Sequence, residues 1–89
     1  MAWRVEYDPR ALKELAKLAK PERERIVDYM AGVARLENPA SRGKGLTGNL
    51  AGLWRYRVGD WRVICDLMND QLVILALSVA HRSKAYKAK

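Results

Sequence analysis

The sequence predicts an α+β fold: a small antiparallel sheet with a helical hairpin on one face, in the order β-α-α-β-β-β. Three observations predict it. A short segment alternates apolar and charged residues. Two stretches then repeat apolar residues at helical spacing. Three strand-like runs, separated by turn dipeptides, fill the end of the chain. Its 89 residues suit one domain, residues 1–89, with a single modest core.

Trp3 to Tyr7 (WRVEY) carries the period-two pattern of a half-buried strand. Asp8-Pro9 opens a helix, with Asp8 as N-cap and Pro9 in the first turn, where its missing N–H is harmless. Leu12, Leu15, Ala16 and Ala19 give that helix an apolar stripe, with Lys13, Glu14 and Lys17 directed to water. Lys20-Pro21 ends it and Pro21 starts the next, in which Ile26, Met30, Val33 and Ala34 recur at helical spacing and Glu22 to Arg25 face solvent. The joint is so short that the two helices must run antiparallel.

Residues 37–52 (ENPASRGKGLTGNLAG) are rich in Gly, Asn and Pro and read as a loop. LWRYRV, WRVICDLM and QLVILALSV follow as strands, joined by Gly59-Asp60 and Asn69-Asp70 as two-residue turns. LVILAL is apolar on both faces, as a central strand is. The last ten residues, AHRSKAYKAK, are polar and basic and are expected to form a short helical turn.

Charge is unevenly placed. The chain carries 17 Lys and Arg against 10 Asp and Glu, a net +7. Residues 1–40 hold eight basic and seven acidic side chains, whereas residues 41–89 hold nine and three. Arg42 and Lys44 begin that one-sided half, which suits a polyanion such as nucleic acid. The single cysteine, Cys65, excludes an internal disulfide and a cysteine-rich metal site, so a reducing cytoplasm is expected. No apolar run is long enough to span a bilayer, and no membrane role is expected.

The Gly59-Asp60 turn sets a register. Val58 faces Trp61, Arg57 faces Arg62, Tyr56 faces Val63 and Arg55 faces Ile64. Alternation then sends Arg55, Arg57 and Arg62 to one face, with Trp54, Tyr56, Val58, Trp61, Val63 and Cys65 on the other. Two arginines directly opposite each other cost the sheet a few tenths of a kcal/mol. A fold gains nothing from that, and an anion-binding surface does. Asp66 on the same face reads as a counter-charge.

The end of the last strand is expected to bring His81 and Arg82 to this cluster, and a helical turn would put Tyr86 beside Arg82. Guanidiniums hold phosphate charge at any pH near neutrality. Tyrosine offers a ring for an unpaired base and a hydroxyl. Histidine is the side chain suited to moving a proton, although His81 reads equally as a surface residue at a strand end. Tyr86 could alternatively anchor the tail. The three tryptophans read as core, and Cys65 as a small buried hydrophobe. No metal cluster, carboxylate pair, glycine-rich phosphate loop or Ser-His-Asp set is apparent, so no cofactor and no metal are expected. The chemistry available is metal-free phosphodiester cleavage by the 2′-OH of RNA.

Leu46-Thr47-Gly48, Gly52 to Val63 (GLWRYRVGDWRV) and His81-Arg82-x-x-x-Tyr86 together resemble the signature of the RelE/ParE toxin superfamily, over essentially the whole chain. The resemblance implies the toxin of a type II toxin–antitoxin system with the RelE-like microbial RNase architecture. RelE-type members enter the ribosomal A site and cut mRNA, leaving a 2′,3′-cyclic or 3′-phosphate and a 5′-hydroxyl. ParE-type members poison DNA gyrase. By position, Arg55 and Arg57 match the paired basic residues of the first hairpin strand, which are often lysines. Arg62 matches the transition-state arginine, and Arg82 and Tyr86 the terminal pair.

An arginine is no general base, so His81 is the expected substitute for a lysine there. The expected catalytic set is Arg62, Arg82, Tyr86 and His81, with RNA held by Arg55, Arg57, Lys44 and Lys84. The implied partners are an acidic RelB-like antitoxin, mRNA and the ribosome, with operator DNA met only through the antitoxin complex. A gyrase poison and a non-catalytic basic nucleic-acid-binding module are the alternatives.

Overall fold

A computed structural model describes residues 3–85. Strand β1 (Arg4–Tyr7) leads into helices α1 (Pro9–Ala16) and α2 (Lys20–Ala34). A 3-10 turn (Pro39–Ser41), the two-residue strand β2 (Lys44–Gly45) and a second 3-10 turn (Gly48–Leu50) follow. The hairpin β3 (Trp54–Val58) and β4 (Trp61–Met68) and the strand β5 (Val73–His81) complete the elements of the described residues. The five strands form one sheet in the order β1-β5-β4-β3-β2.

Helix α1 begins as the sequence predicts, with the Asp8 carboxylate accepting from the Ala11 N–H at 3.0 Å. Its phase differs. The buried residues are Ala11 and Leu15, with Leu18 half-buried, whereas Leu12 is 54% exposed and Ala16 and Ala19 face water. The inward face is rotated by roughly a quarter turn from the predicted stripe. The entry fixes it: the Asp8 N–H donates to the Ala76 carbonyl at 3.0 Å, so α1 starts tied to β5. In α2, Ile26, Met30, Val33 and Ala34 are all buried, as their spacing predicts. Its first turn is less solvated than expected, because Glu22 accepts from Trp61 Nε1 at 3.1 Å and Arg23 donates to the Leu18 carbonyl at 3.0 Å.

The sheet is mixed rather than wholly antiparallel. β1 pairs with β5 in parallel, Val5 opposite Ile74 and Tyr7 opposite Ala76. The two helices and strands β2 to β4 lie between them in the chain, so the long crossover that a parallel pair requires is met. Beyond Tyr7 the chain leaves for α1, so β5 from residue 77 onward has no strand on that side. Glu14 fills the gap: its Oε1 accepts from the Val79 N–H at 2.7 Å. This carboxylate, expected in water, therefore takes the place of a missing ladder partner.

The predicted loop contains the short β2, with Lys44 opposite Arg55 and Gly45 opposite Trp54. Two aromatic side chains fasten the segment before it. Trp54 Nε1 donates to the Arg42 carbonyl at 2.6 Å, and the buried Tyr56 hydroxyl donates to the Pro39 carbonyl at 2.8 Å. Gly43 (φ +74°) passes so close to the Arg55 carbonyl and the Trp54 and Tyr56 rings that a Cβ would collide. The β4–β5 connection is longer than two residues, running from Asn69 to Leu72, with Leu72 at φ +55°.

One hydrophobic cluster joins the helices to the near face of the sheet through Tyr56, Val58, Val63, Cys65, Ile74, Ala76 and Val79. Burial raises the Tyr7 phenol to about 12 and pushes the Tyr56 phenol and the Cys65 thiol further up, with smaller contributions from neighbouring titratable groups. An acid raised on folding stabilises the fold while it stays protonated. The Tyr7 contribution is therefore whole below pH ~10, the ordinary phenol value, and is lost as pH climbs toward 12. Alkaline unfolding should coincide with tyrosinate absorbance, and Tyr7→Phe should weaken that pH dependence. In the native protein Cys65 should resist thiol reagents until the chain unfolds. Glu14→Ala should cost about 1–2 kcal/mol in denaturant titration, because the Val79 N–H loses its acceptor, while Glu14→Gln should cost less.

Candidate nucleic-acid interface

The hairpin register matches the turn-based expectation at every position: Val58 pairs with Trp61, Arg57 with Arg62, Tyr56 with Val63 and Arg55 with Ile64. Gly59 has φ +61°, and Leu72 is the only non-glycine with positive φ among the described residues. Gly59-Asp60 is thus a II′-type turn with glycine at its first central position, the twist that suits a hairpin.

Paired residues share a face of the sheet. Lys44 opposite Arg55, and Arg57 opposite Arg62, therefore place four cations on the face away from the helices. Sequence spacing could not put Lys44 there, because β2 is too short to show a period. The main chain of Arg82 comes to the same end of the sheet, its N–H donating to the Asp60 carbonyl at 2.8 Å. Among the described residues no carboxylate lies within ion-pairing distance of Arg57, Arg62 or Arg82.

The four cations are not equally open. Arg57 and Lys44 are exposed and Arg55 is half-buried. Arg62 is only 8% exposed, and its Nη1 donates to the Gly59 carbonyl at 2.9 Å and the Trp61 carbonyl at 3.0 Å. Its guanidinium closes over the hairpin turn. From the other side the Arg25 guanidinium of α2 packs against Gly59, so closely that a Cβ there would meet Nη1 at 2.9 Å. A groove between α2 and the end of β3 brings Arg25, Asp28 and Tyr29 beside Arg57.

His81 does not join the arginines. β5 carries one extra residue where the pairing shifts between Ile64↔Ser78 and Cys65↔Ala76, so that Trp61 pairs with His81 and Arg62 with Ala80. His81 lies on the helix face, its ring 5.6 Å from that of Trp61 and edge-on to it. Its Nδ1 lies 3.0 Å from Ser83 Oγ and accepts from the Ser83 N–H at 3.3 Å. A backbone N–H can only donate, so the neutral ring carries its proton on Nε2. Lys84, whose N–H donates to the His81 carbonyl at 2.8 Å, lines a groove on that same face. Tyr86 lies outside the described residues. Among the described residues no group of His, Cys, Asp and Glu gathers to hold a metal ion, and no helix is long and apolar enough to cross a membrane.

What the assembled face offers is multidentate attraction for a chain of phosphates, with Arg57 its exposed centre. Arg57→Glu should replace a repulsive cross-strand pair with an attractive one. It should raise stability by about 0.2–1 kcal/mol at low salt, checked by thermal melts, while weakening the binding of single-stranded RNA.

Comparison with known proteins places this geometry. Residues 5–86 match the family described as ParE toxin of type II toxin–antitoxin system, parDE. The structure is similar to one in the toxin–antitoxin complex RelBE2 from Mycobacterium tuberculosis, with a TM-score of 0.84 and 26% sequence identity, covering 94% of this chain and 95% of that one. It is similar to a chain of the archaeal RelE–RelB complex from Pyrococcus horikoshii OT3, with a TM-score of 0.72 and 28% identity, covering 96% and 100%. It also shares its fold with a YafQ mutant from E. coli, with a TM-score of 0.71 and 20% identity, covering 96% and 99%. No curated protein matches.

Proposed function

The chain belongs to the ParE toxin family of type II toxin–antitoxin systems, with a RelE-like fold, and we propose that within it this chain is a ribosome-dependent endoribonuclease. In this reading it acts in the cytoplasm, cuts mRNA in the A site and so inhibits translation. The observation that carries the reading is the Arg57–Arg62 pair, two cations directly opposed on a face that also holds Lys44 and Arg55. Such an arrangement costs stability and serves a polyanion.

In this reading the RNA supplies its own nucleophile. The 2′-OH attacks the adjacent phosphorus as its proton passes to water, forming the 2′,3′-cyclic phosphate, and the bond to the 5′ oxygen breaks as that oxygen takes a proton from water and leaves as the 5′-hydroxyl. Arg57, Arg55 and Lys44 hold flanking phosphates. Arg62 and Arg82 stabilise the charge that builds on the phosphorane oxygens, for which Arg62 must give up its bonds to the turn carbonyls. His81, held across the sheet with Nδ1 occupied, is not the base that takes the 2′ proton. Tyr86 remains the terminal group proposed to meet the substrate.

The cognate partner is an acidic, RelB-like antitoxin, a reading supported by the net charge of +7 and by the toxin–antitoxin complexes among the similar structures. Operator DNA would be met through that complex. The ParE name of the family supports a second reading, a gyrase poison without nuclease activity.

Toeprinting of translated mRNA after induction separates the two. The nuclease should leave breaks at A-site codons, whereas the gyrase poison should leave mRNA intact and block supercoiling. Arg62→Ala should slow single-turnover cleavage by ~10²–10³ while weakening binding less, since other cations still hold the phosphates. A 2′-deoxy sugar at the cut site should bind and resist cleavage. His81→Gln should leave the cleavage step within a few-fold of wild type, in contrast to the loss of ~10²–10⁴ expected of a general base.

A further inference from the structure

At the hairpin end of the sheet, the side opposite the arginines carries a second groove. It runs between the C-terminal end of α1 and the end of β5, and is lined by Glu14, Lys17, Leu18, Trp61, His81 and Lys84, among others. Its volume is about 490 Å³, within the range that small-molecule sites occupy. None of these residues belongs to the cation face, and the cleavage chemistry leaves the groove unused.

We propose that this groove binds one unpaired nucleotide of the RNA whose neighbouring phosphates lie on the arginine face. The inference rests on the nuclease reading for its ligand, and on independent geometry for its site. Trp61 supplies an aromatic wall, fixed by its Nε1 bond to Glu22. His81 stands edge-on to that ring, and the two bonds on Nδ1 hold it so that Nε2–H is the free donor. Leu18 and Val79 extend the apolar floor. Lys17 and Lys84 stand at the rim as exposed cations, while Glu14 is occupied by the Val79 N–H and by Arg10 at 3.3 Å.

A flat apolar wall, a fixed donor and two cations are the parts that recognise a base and its phosphate. The two surfaces are continuous around one edge. Trp61 and Arg62 are adjacent in β4, as are His81 and Arg82 at the end of β5, and in each pair the first residue faces the groove or its rim. The Arg82 N–H bond to Asp60 fixes the strip of main chain that separates them. A strand passing over the hairpin end would cross from one surface to the other. The fixed Nε2–H donor would favour a base that presents an acceptor, and so bias the nucleotide beside the cut.

The test is the footprint of a short single-stranded RNA on the free, full-length chain. The probe is a 2′-O-methyl hexanucleotide, which cannot be cut, and the readout is two-dimensional NMR. Binding should shift Lys17, Leu18, His81 and Lys84 as well as Lys44 and Arg57. His81→Ala should weaken binding several-fold, up to about tenfold, as loss of a hydrogen bond to the base does. Lys17→Glu should weaken it several-fold and make it less sensitive to salt, as loss of a phosphate contact does. Shifts confined to Lys44 and Arg57, with His81→Ala binding as wild type, would overturn the groove and leave the nuclease reading standing. Groove shifts without mRNA breaks in the toeprint would uphold the groove and remove the nuclease. Absence of binding to either surface overturns the inference.

Discussion

The II′-type turn at Gly59-Asp60 is the constraint on which the other features depend. It sets which residue of β3 meets which residue of β4, and a slip of one position would exchange the two faces of the hairpin. With the observed pairing, Tyr56, Val58, Val63 and Cys65 enter the core and Arg55, Arg57 and Arg62 leave it. Burying each of those apolar side chains is worth about 1.5–3 kcal/mol for the larger ones. Opposing two arginines costs about 0.2–1 kcal/mol. The apolar face wins, so the sheet can carry a repulsive pair without losing its register.

The turn is held as well as formed. Arg62 donates to its carbonyls from one side, and Arg25 lies against Gly59 from the helix side. The glycine is needed for its positive φ, and a Cβ there would also displace the Arg25 guanidinium. Arg62 thereby acquires two occupations. At rest its guanidinium donates to the Gly59 and Trp61 carbonyls, and in the proposed cleavage phosphate oxygens would take their place. Such an exchange of partners would keep the charge hydrogen-bonded throughout and limit what it costs to bring the arginine out.

The edges of the sheet are completed by side chains from elsewhere in the chain. Glu14 supplies the acceptor that β5 lacks once β1 has turned away. Trp54 and Tyr56 reach from β3 to the carbonyls of Arg42 and Pro39 and draw the preceding loop into place. That loop delivers Lys44 opposite Arg55. The cation face is thus assembled by aromatic residues whose rings lie on the other side of the sheet, a division of labour that strand alternation makes possible.

The sequence alone determined the α+β class, the extent of β4, the start of α1, the buried face of α2 and the hairpin pairing. Each rests on a local signal: a period, a cap, or a two-residue turn that leaves one register. The RelE/ParE resemblance rests on the same short motifs. Tertiary structure decided the rest. α1 is tied to β5 by the Asp8 N–H, and this turned its inward face away from Leu12 toward Ala11, Leu15 and Glu14. β1 found its partner across the crossover, in parallel, although its own pattern was compatible with either direction. The side on which His81 lies was fixed by the one-residue shift in β5. Without the extra residue, pairing from Cys65↔Ala76 would bring His81 to the arginine face. LVILAL is apolar on both sides and leaves no parity to read, so only the packed sheet could choose.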